Sequence, residues 1–81
     1  MTIHVDFQSF LGFVNNDTKI QGKSFIFNII IDEKTFECIL FVHPTAASFV
    51  TVPDNVLIDH DVLKAAILNK YKYEDLLKYE N

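Results

Sequence analysis

The sequence predicts an α+β protein: a small antiparallel sheet, a meander of three to five strands, covered by one kinked or two short C-terminal helices. Residues 24–43 form two runs of aromatic and β-branched side chains around a polar turn, which is the pattern of a hairpin. From residue 59 onwards the chain is rich in Leu, Ala, Lys and Glu and contains neither Gly nor Pro, which favours helix. A length of 81 residues suits a single domain, mainly β-sheet over residues 1–58 and helical over residues 59–81.

The first segment, residues 2–14, is interpreted as a long strand. Polar and apolar side chains alternate here in the order Thr2, Ile3, His4, Val5, Asp6 and Phe7. Gly12 then marks a bulge or a bend. The alternative is a helix capped by Asp6. Its apolar side chains have helical spacing, at Phe7, Phe10, Leu11 and Val14. Because glycine and several aromatic residues weaken that helix, the strand is preferred.

The hairpin, with strands at residues 24–31 and 35–43, is apolar on nearly both faces. One face carries Phe25, Phe27, Ile29 and Ile31, with Phe36, Cys38, Leu40 and Val42 from the second strand. The opposite face carries Ile26, Asn28 and Ile30, with Glu37, Ile39 and Phe41 from the second strand. Residues 32–34 supply the polar turn. Because so short a chain has little material to bury both faces, part of this surface is expected to receive a partner.

The connections follow from proline, glycine and short polar residues. Residues 15–23 are predicted to form a polar loop, with Gly22 available for a positive φ angle. Pro44 ends the hairpin, since the residue before a proline is pushed out of the helical region. Residues 46–52 are predicted to form a short strand that stops at Pro53, and residues 56–58 are a candidate last strand.

The C-terminal helix is predicted to begin at Asp59, which is a suitable N-cap, and Asp61 complements the helix dipole in the first turn. Its first apolar stripe contains Val62, Leu63, Ala66 and Ile67, and its second contains Tyr73, Leu76 and Leu77. The two stripes are out of phase. We therefore expect a kink, or two short helices that meet near Tyr71.

Composition excludes several classes of function. The formal charge is −4, and all seven cationic residues are lysines. Nucleic-acid interfaces depend heavily on the planar fork of arginine, so a nucleic-acid partner is disfavoured. Two glycines leave no loop to cradle a phosphate. No apolar stretch reaches the roughly 20 residues that cross a bilayer, and the first residues lack the pattern of a signal peptide, so no membrane role and a cytoplasmic location are expected.

Four groups of residues resemble sites, and each has a simpler structural interpretation. Residues 59–61, with the sequence Asp-His-Asp, could bind a metal, but successive side chains at a helix start diverge and capping is preferred. Cys38 and His43 lie five positions apart on a strand and therefore face opposite ways. The acidic pairs at residues 32–33 and 74–75 are expected to be solvated. Residues 70–73 alternate lysine with tyrosine, and the tyrosines are expected to pack on the sheet. We therefore predict no catalytic residue, no cofactor and no metal.

The sequence predicts a small acidic, non-catalytic module that binds another protein, as inhibitor, regulator or antitoxin-like antagonist, or that binds itself as a homodimer. The candidate protein interface is the second face of the hairpin, with Ile26, Asn28, Ile30, Glu37, Ile39 and Phe41. The alternative for this face is that the C-terminal helices cover it, so that it belongs to the core of a monomer. The alternative comes from residues 10–14, 25–29 and 36–41, whose spacing looks like the opening three-strand meander of an OB-fold. That resemblance implies binding of single-stranded nucleic acid.

Overall fold

The computed structural model describes residues 2–15 and 21–79, and the side chains of residues 2–12 and 22–79. These residues form four strands and two helices, in the order β1 (Ile3–Asn15), β2 (Gln21–Ile31), β3 (Lys34–His43), β4 (Ala46–Thr51), α1 (His60–Lys70) and α2 (Tyr73–Leu77). All the strand pairs are antiparallel, and the strand order β1-β2-β3-β4 is that of a simple meander. The predicted α+β fold is therefore confirmed.

Strand β1 confirms the strand interpretation of the first segment, and the helical alternative is wrong. The strand pairs with β2 along its length, with register shifts between Phe7 and Ser9 and between Phe10 and Gly12. Gly12 has a φ angle of 144°, which disfavours any residue with a Cβ atom. The first bulge, between Phe7 and Ser9, keeps Phe7 and Phe10 on one face, opposite Phe27 and Phe25 respectively.

The β2–β3 hairpin turns more tightly than the sequence indicates. Asp32 and Glu33 form a two-residue turn with φ angles of 50° and 68°, as a type I′ turn requires. Lys34 is already in β3, opposite Ile31, so it does not belong to the turn. A type I′ turn follows the twist of the strands closely, which leaves no place for a third turn residue.

Two predicted connections need correction. Of the predicted loop, Asn15 belongs to β1, residues 16–20 lie outside the described residues, and residues 21–23 belong to β2. Gly22 is therefore a strand residue, opposite Val14. The candidate strand at residues 56–58 is not formed. The Val56 N–H donates to the Pro53 carbonyl at 3.1 Å, so this segment is a turn that leads into α1.

The core lies between one face of the sheet and the two helices. We call this side of the sheet the core face. Its buried side chains are Val5, Phe25, Phe27, Ile29, Ile31, Cys38, Leu40, Val42 and Ala47, with Leu63, Ile67 and Leu76 from the helices. Both helices therefore pack on the face that carries the phenylalanines of β2. Burial of these side chains is the main favourable term in the folding of the domain.

Helix α1 begins and ends as predicted. The Asp61 N–H donates to the side chain of the N-cap Asp59 at 2.7 Å. The helix ends at Tyr71, which is extended, and α2 begins two residues later, so the break near Tyr71 is confirmed. Val62 departs from the predicted apolar stripe, because it is 50% exposed while Leu63 and Ile67 are buried.

Candidate functional site

The face of the sheet opposite the core face is here called the open face. The strand register arranges its side chains in rows across the sheet, because directly opposed residues of antiparallel strands point the same way. Three successive rows are His4–Ile30–Thr35, Asp6–Asn28–Glu37 and Ser9–Ile26–Ile39–Thr51, and Ser24, Phe41 and Ser48 form part of the fourth. The six residues predicted from the sequence therefore lie together on this face.

Large apolar side chains of the open face stay partly in solvent. Ile26, Ile30, Ile39 and Phe41 are half-buried, and none of them belongs to the core. Asn28 is also half-buried, whereas Glu37 is exposed. Since both described helices pack on the core face, these side chains are shielded by their cross-strand neighbours rather than by a second layer.

The ring of Phe41 lies over Gly22 of β2. A Cβ atom on Gly22 would come within 2.4 Å of this ring, so the ring occupies the space that the glycine leaves. Ser24, directly opposite Phe41, is 7% exposed. The His43 ring lies 5.6 Å from the Phe41 ring on the same face. Phe41 thus packs over Gly22 while part of its surface remains accessible.

A polar row crosses the middle of the open face. Asp6 and Glu37 stand on either side of Asn28, on strands separated by β2. Lys70 approaches from the helix side, and its Nζ atom lies 3.4 Å from the Asp6 carboxylate. The Asp6 side chain is still 60% exposed, so this ion pair is worth little and leaves Asp6 free to accept further hydrogen bonds.

Side chains of α1 and its C-cap engage both edge strands. On β1, the Phe7 N–H donates to the Tyr71 hydroxyl at 3.0 Å, and Lys70 donates to the Val5 carbonyl at 2.5 Å. On β4, Lys64 donates to the Ala47 carbonyl at 3.1 Å. Polar groups on an unpaired strand edge invite another strand, and these bonds occupy several of them. These bonds thus occupy two backbone groups of β1 and one of β4.

Residues 59–61 serve the helix start. Asp59 is the N-cap, the His60 ring packs 5.8 Å from the Phe49 ring, and Asp61 is exposed in the first turn. The three side chains thus have separate environments. Within residues 2–15 and 21–79, no three His, Cys, Asp or Glu side chains are grouped so as to hold a metal ion.

The lysine–tyrosine alternation at residues 70–73 is directed at the sheet. The Tyr71 ring packs on Phe7 and Phe27, with centroids 6.2 and 5.5 Å away. The Tyr73 hydroxyl donates to the His43 carbonyl. These aromatic rings pack against the core and are therefore not free to stack on bases.

Cys38 and His43 lie on opposite faces, as predicted. Cys38 is 1% exposed on the core face, and burial, aided by the nearby charge of Glu37, raises the pKa of its thiol to about 11. The thiol is therefore protonated at neutral pH and is not a nucleophile. Burial in the core is its structural role.

Asp6 belongs to the open face but was not predicted as part of the candidate interface. The alternation of Thr2, His4 and Asp6 with apolar residues placed it on the polar face of the first strand. The alternation does not show which residue of β2 lies opposite Asp6, because two bulges set the register between β1 and β2. Its place beside Asn28 follows from that register.

Comparisons with protein-family models, with curated proteins and with solved structures found no match to this chain. Among the described residues, no helix is both long enough and apolar enough to cross a membrane.

Proposed function

We propose that this chain is a small acidic, non-catalytic module that binds another protein through its open face, as inhibitor, regulator or antitoxin-like antagonist. One observation carries the proposal. Four large apolar side chains, Ile26, Ile30, Ile39 and Phe41, are only partly buried on a face that no described helix covers. An apolar patch interrupted by polar groups is typical of protein interfaces.

The arrangement of the edges also favours docking on the face. Interfaces that extend a sheet need free backbone groups on an edge strand. Here Tyr71 and Lys70 occupy groups of β1, and Lys64 occupies one of β4. A partner is therefore expected to pack its side chains on the open face.

The nucleic-acid alternative has less support. The four described strands form an open sheet with β1 and β4 at its edges, not a closed barrel. Single-strand binding also needs a basic groove lined with exposed aromatic rings. On the open face the charged groups include the carboxylates of Asp6 and Glu37, which repel phosphate.

Affinity capture with face-specific variants tests the proposal. Immobilised wild-type chain, Ile39→Asp and Leu57→Asp are exposed to extracts of the cells in which the chain occurs, and each captured protein is purified and rebound. Leu57 is the matched control, because it is 97% exposed and lies beside Ile31 and Phe36 of the core face. We expect Ile39→Asp to abolish binding and Leu57→Asp to preserve it. Equal binding by both variants would refute the open face as the interface.

A further inference from the structure

The open face has a charge pattern that restricts its partner. Asp6 and Glu37 occupy the same row, with one strand between them. Neighbouring strands are about 4.8 Å apart, so the backbones that carry the two carboxylates are separated by about 10 Å. The apolar side chains flank this row, with Ile30 on one side and Ile26 and Ile39 on the other.

The lysines that the structure describes lie away from the open face or at its margin. Lys23 donates to the carbonyls of Leu77 and Tyr79, and Lys64 donates to that of Ala47. The remaining positions are Lys34 on the core side of β3, Lys72 and Lys78 at the two ends of α2, and Lys70 at the edge of β1. Of these side chains, Lys70 alone reaches a carboxylate of the open face, and it does so from the margin.

We infer that the open face binds a basic protein surface, whose apolar side chains cover Ile26, Ile39 and Phe41 and whose cationic side chains pair with Asp6 and Glu37. This inference rests on the proposed function. A wholly apolar partner would bury Glu37 without a counter-charge, and Asp6 with Lys70 alone beside it, which is costly. A surface with two lysine or arginine side chains about 10 Å apart would pair with both carboxylates. Such a surface would therefore bind in preference to an apolar one.

The same pattern argues against two other occupants. If two copies packed open face on open face, four carboxylates would share one interface, and like charges brought together are destabilising. A nucleic acid would bring phosphates to Asp6 and Glu37, with the same result. The charge of −4 on the chain adds long-range attraction toward a basic protein.

Selection from a displayed library of random 12-residue peptides tests the inference. The baits are the wild-type chain, the Asp6→Asn/Glu37→Gln double variant and Ile39→Asp. The amide variants keep the shape of the side chains and remove their charge, and their thermal unfolding curves are checked against the wild type. We expect wild-type binders to combine apolar residues with Lys or Arg. The double variant should lose the basic preference, and Ile39→Asp should lose the binders altogether.

The affinity of a purified wild-type binder then measures how much the two carboxylates contribute to binding. This affinity should fall about tenfold or more for the double variant, and should weaken with added salt for the wild type far more than for the double variant.

Other results would contradict either the basic partner or the open face as the interface. Binders that need Ile39 but show no preference for Lys or Arg would refute the basic partner and leave the proposed function intact. Binders insensitive to Ile39→Asp, or no binders at all, would count against the open face as an interface and thus against both statements. A stable dimer in light scattering that Ile39→Asp dissociates would show that the occupant is a second copy.

Discussion

At the residue scale, Gly22 is required because of Phe41. A Cβ atom at position 22 would lie 2.4 Å from the Phe41 ring and 2.7 Å from the Val42 carbonyl oxygen. Both distances are far below van der Waals contact. The ring can rotate away, but the backbone carbonyl cannot move without disturbing the strand pair.

We therefore expect Gly22→Ala to lower the free energy of unfolding by about 1–3 kcal/mol, the usual cost of forcing an extra group into a packed site. The measurement is denaturant unfolding of the variant, alone and combined with Phe41→Ala. Removal of the ring should restore part of the loss. Gly12→Ala is the matched control, because Gly12 has a φ angle of 144° and, among the described residues other than its chain neighbours, no atom lies within 4 Å of its Cβ position. Its cost arises from the backbone, so rescue of Gly12→Ala by Phe41→Ala would contradict the steric explanation.

The buried thiol of Cys38 makes the stability of the domain fall at alkaline pH. Its pKa is about 11 in the folded chain against a reference value of 9.0. Between these values the unfolded chain releases the thiol proton while the folded chain retains it, so this group contributes stability below pH 9 that is lost as the pH rises towards 11. We expect the stability difference between wild type and Cys38→Ala to narrow over that range. Unfolding titrations at pH 8, 9 and 10 check this, and a constant difference would contradict it.

At the element scale, the start of helix α1 depends on one capping side chain. Asp59 caps α1 through the Asp61 N–H. We expect Asp59→Ala to destabilise the domain by about 1 kcal/mol and Asp59→Asn to cost much less, since an asparagine oxygen also accepts this bond. Thermal unfolding with and without added Zn²⁺ distinguishes capping from metal binding. A melting temperature that Zn²⁺ raises in the wild type and not in Asp59→Asn would favour the metal site.

Much of the fold could be predicted because its signals are local. The alternation of residues 25–31 fixes both faces of β2, and the loss of phase after Asn69 indicates the break between α1 and α2. The register could not be predicted in the same way. It depends on the bulges of β1 and on a turn of two residues whose positive φ angles fall on Asp32 and Glu33 rather than on glycine.

The candidate site was predictable in composition but not in arrangement. Period-two alternation groups Ile26, Asn28 and Ile30 whatever the register is. The sequence left open which face the helices would cover, because both faces of the hairpin are apolar. The helices pack on the face that carries Phe25 and Phe27. That choice results from tertiary packing, in which the larger aromatic side chains bury more area.

At the scale of the whole molecule, the two faces of the sheet differ in what they contribute. Adjacent residues of β3 allow a direct comparison, since Leu40 is fully buried on the core face and Ile39 is half-buried on the open face. We expect Leu40→Asp to unfold the domain, because it buries an unpaired charge. Ile39→Asp should cost only about 1–2 kcal/mol, since its carboxylate stays in solvent. Circular dichroism melts check both, and equal losses would contradict the description of two unlike faces.

Site-specific photo-crosslinking shows whether the open face contacts a protein partner in the cell. A photoreactive benzoylphenylalanine replaces Phe41 on the open face or, as a control, Leu57, and the cells in which the chain occurs are irradiated. We expect a discrete protein adduct from position 41 that position 57 does not give. That expectation would be contradicted by the absence of an adduct at position 41, or by an adduct there that nuclease digests and protease does not.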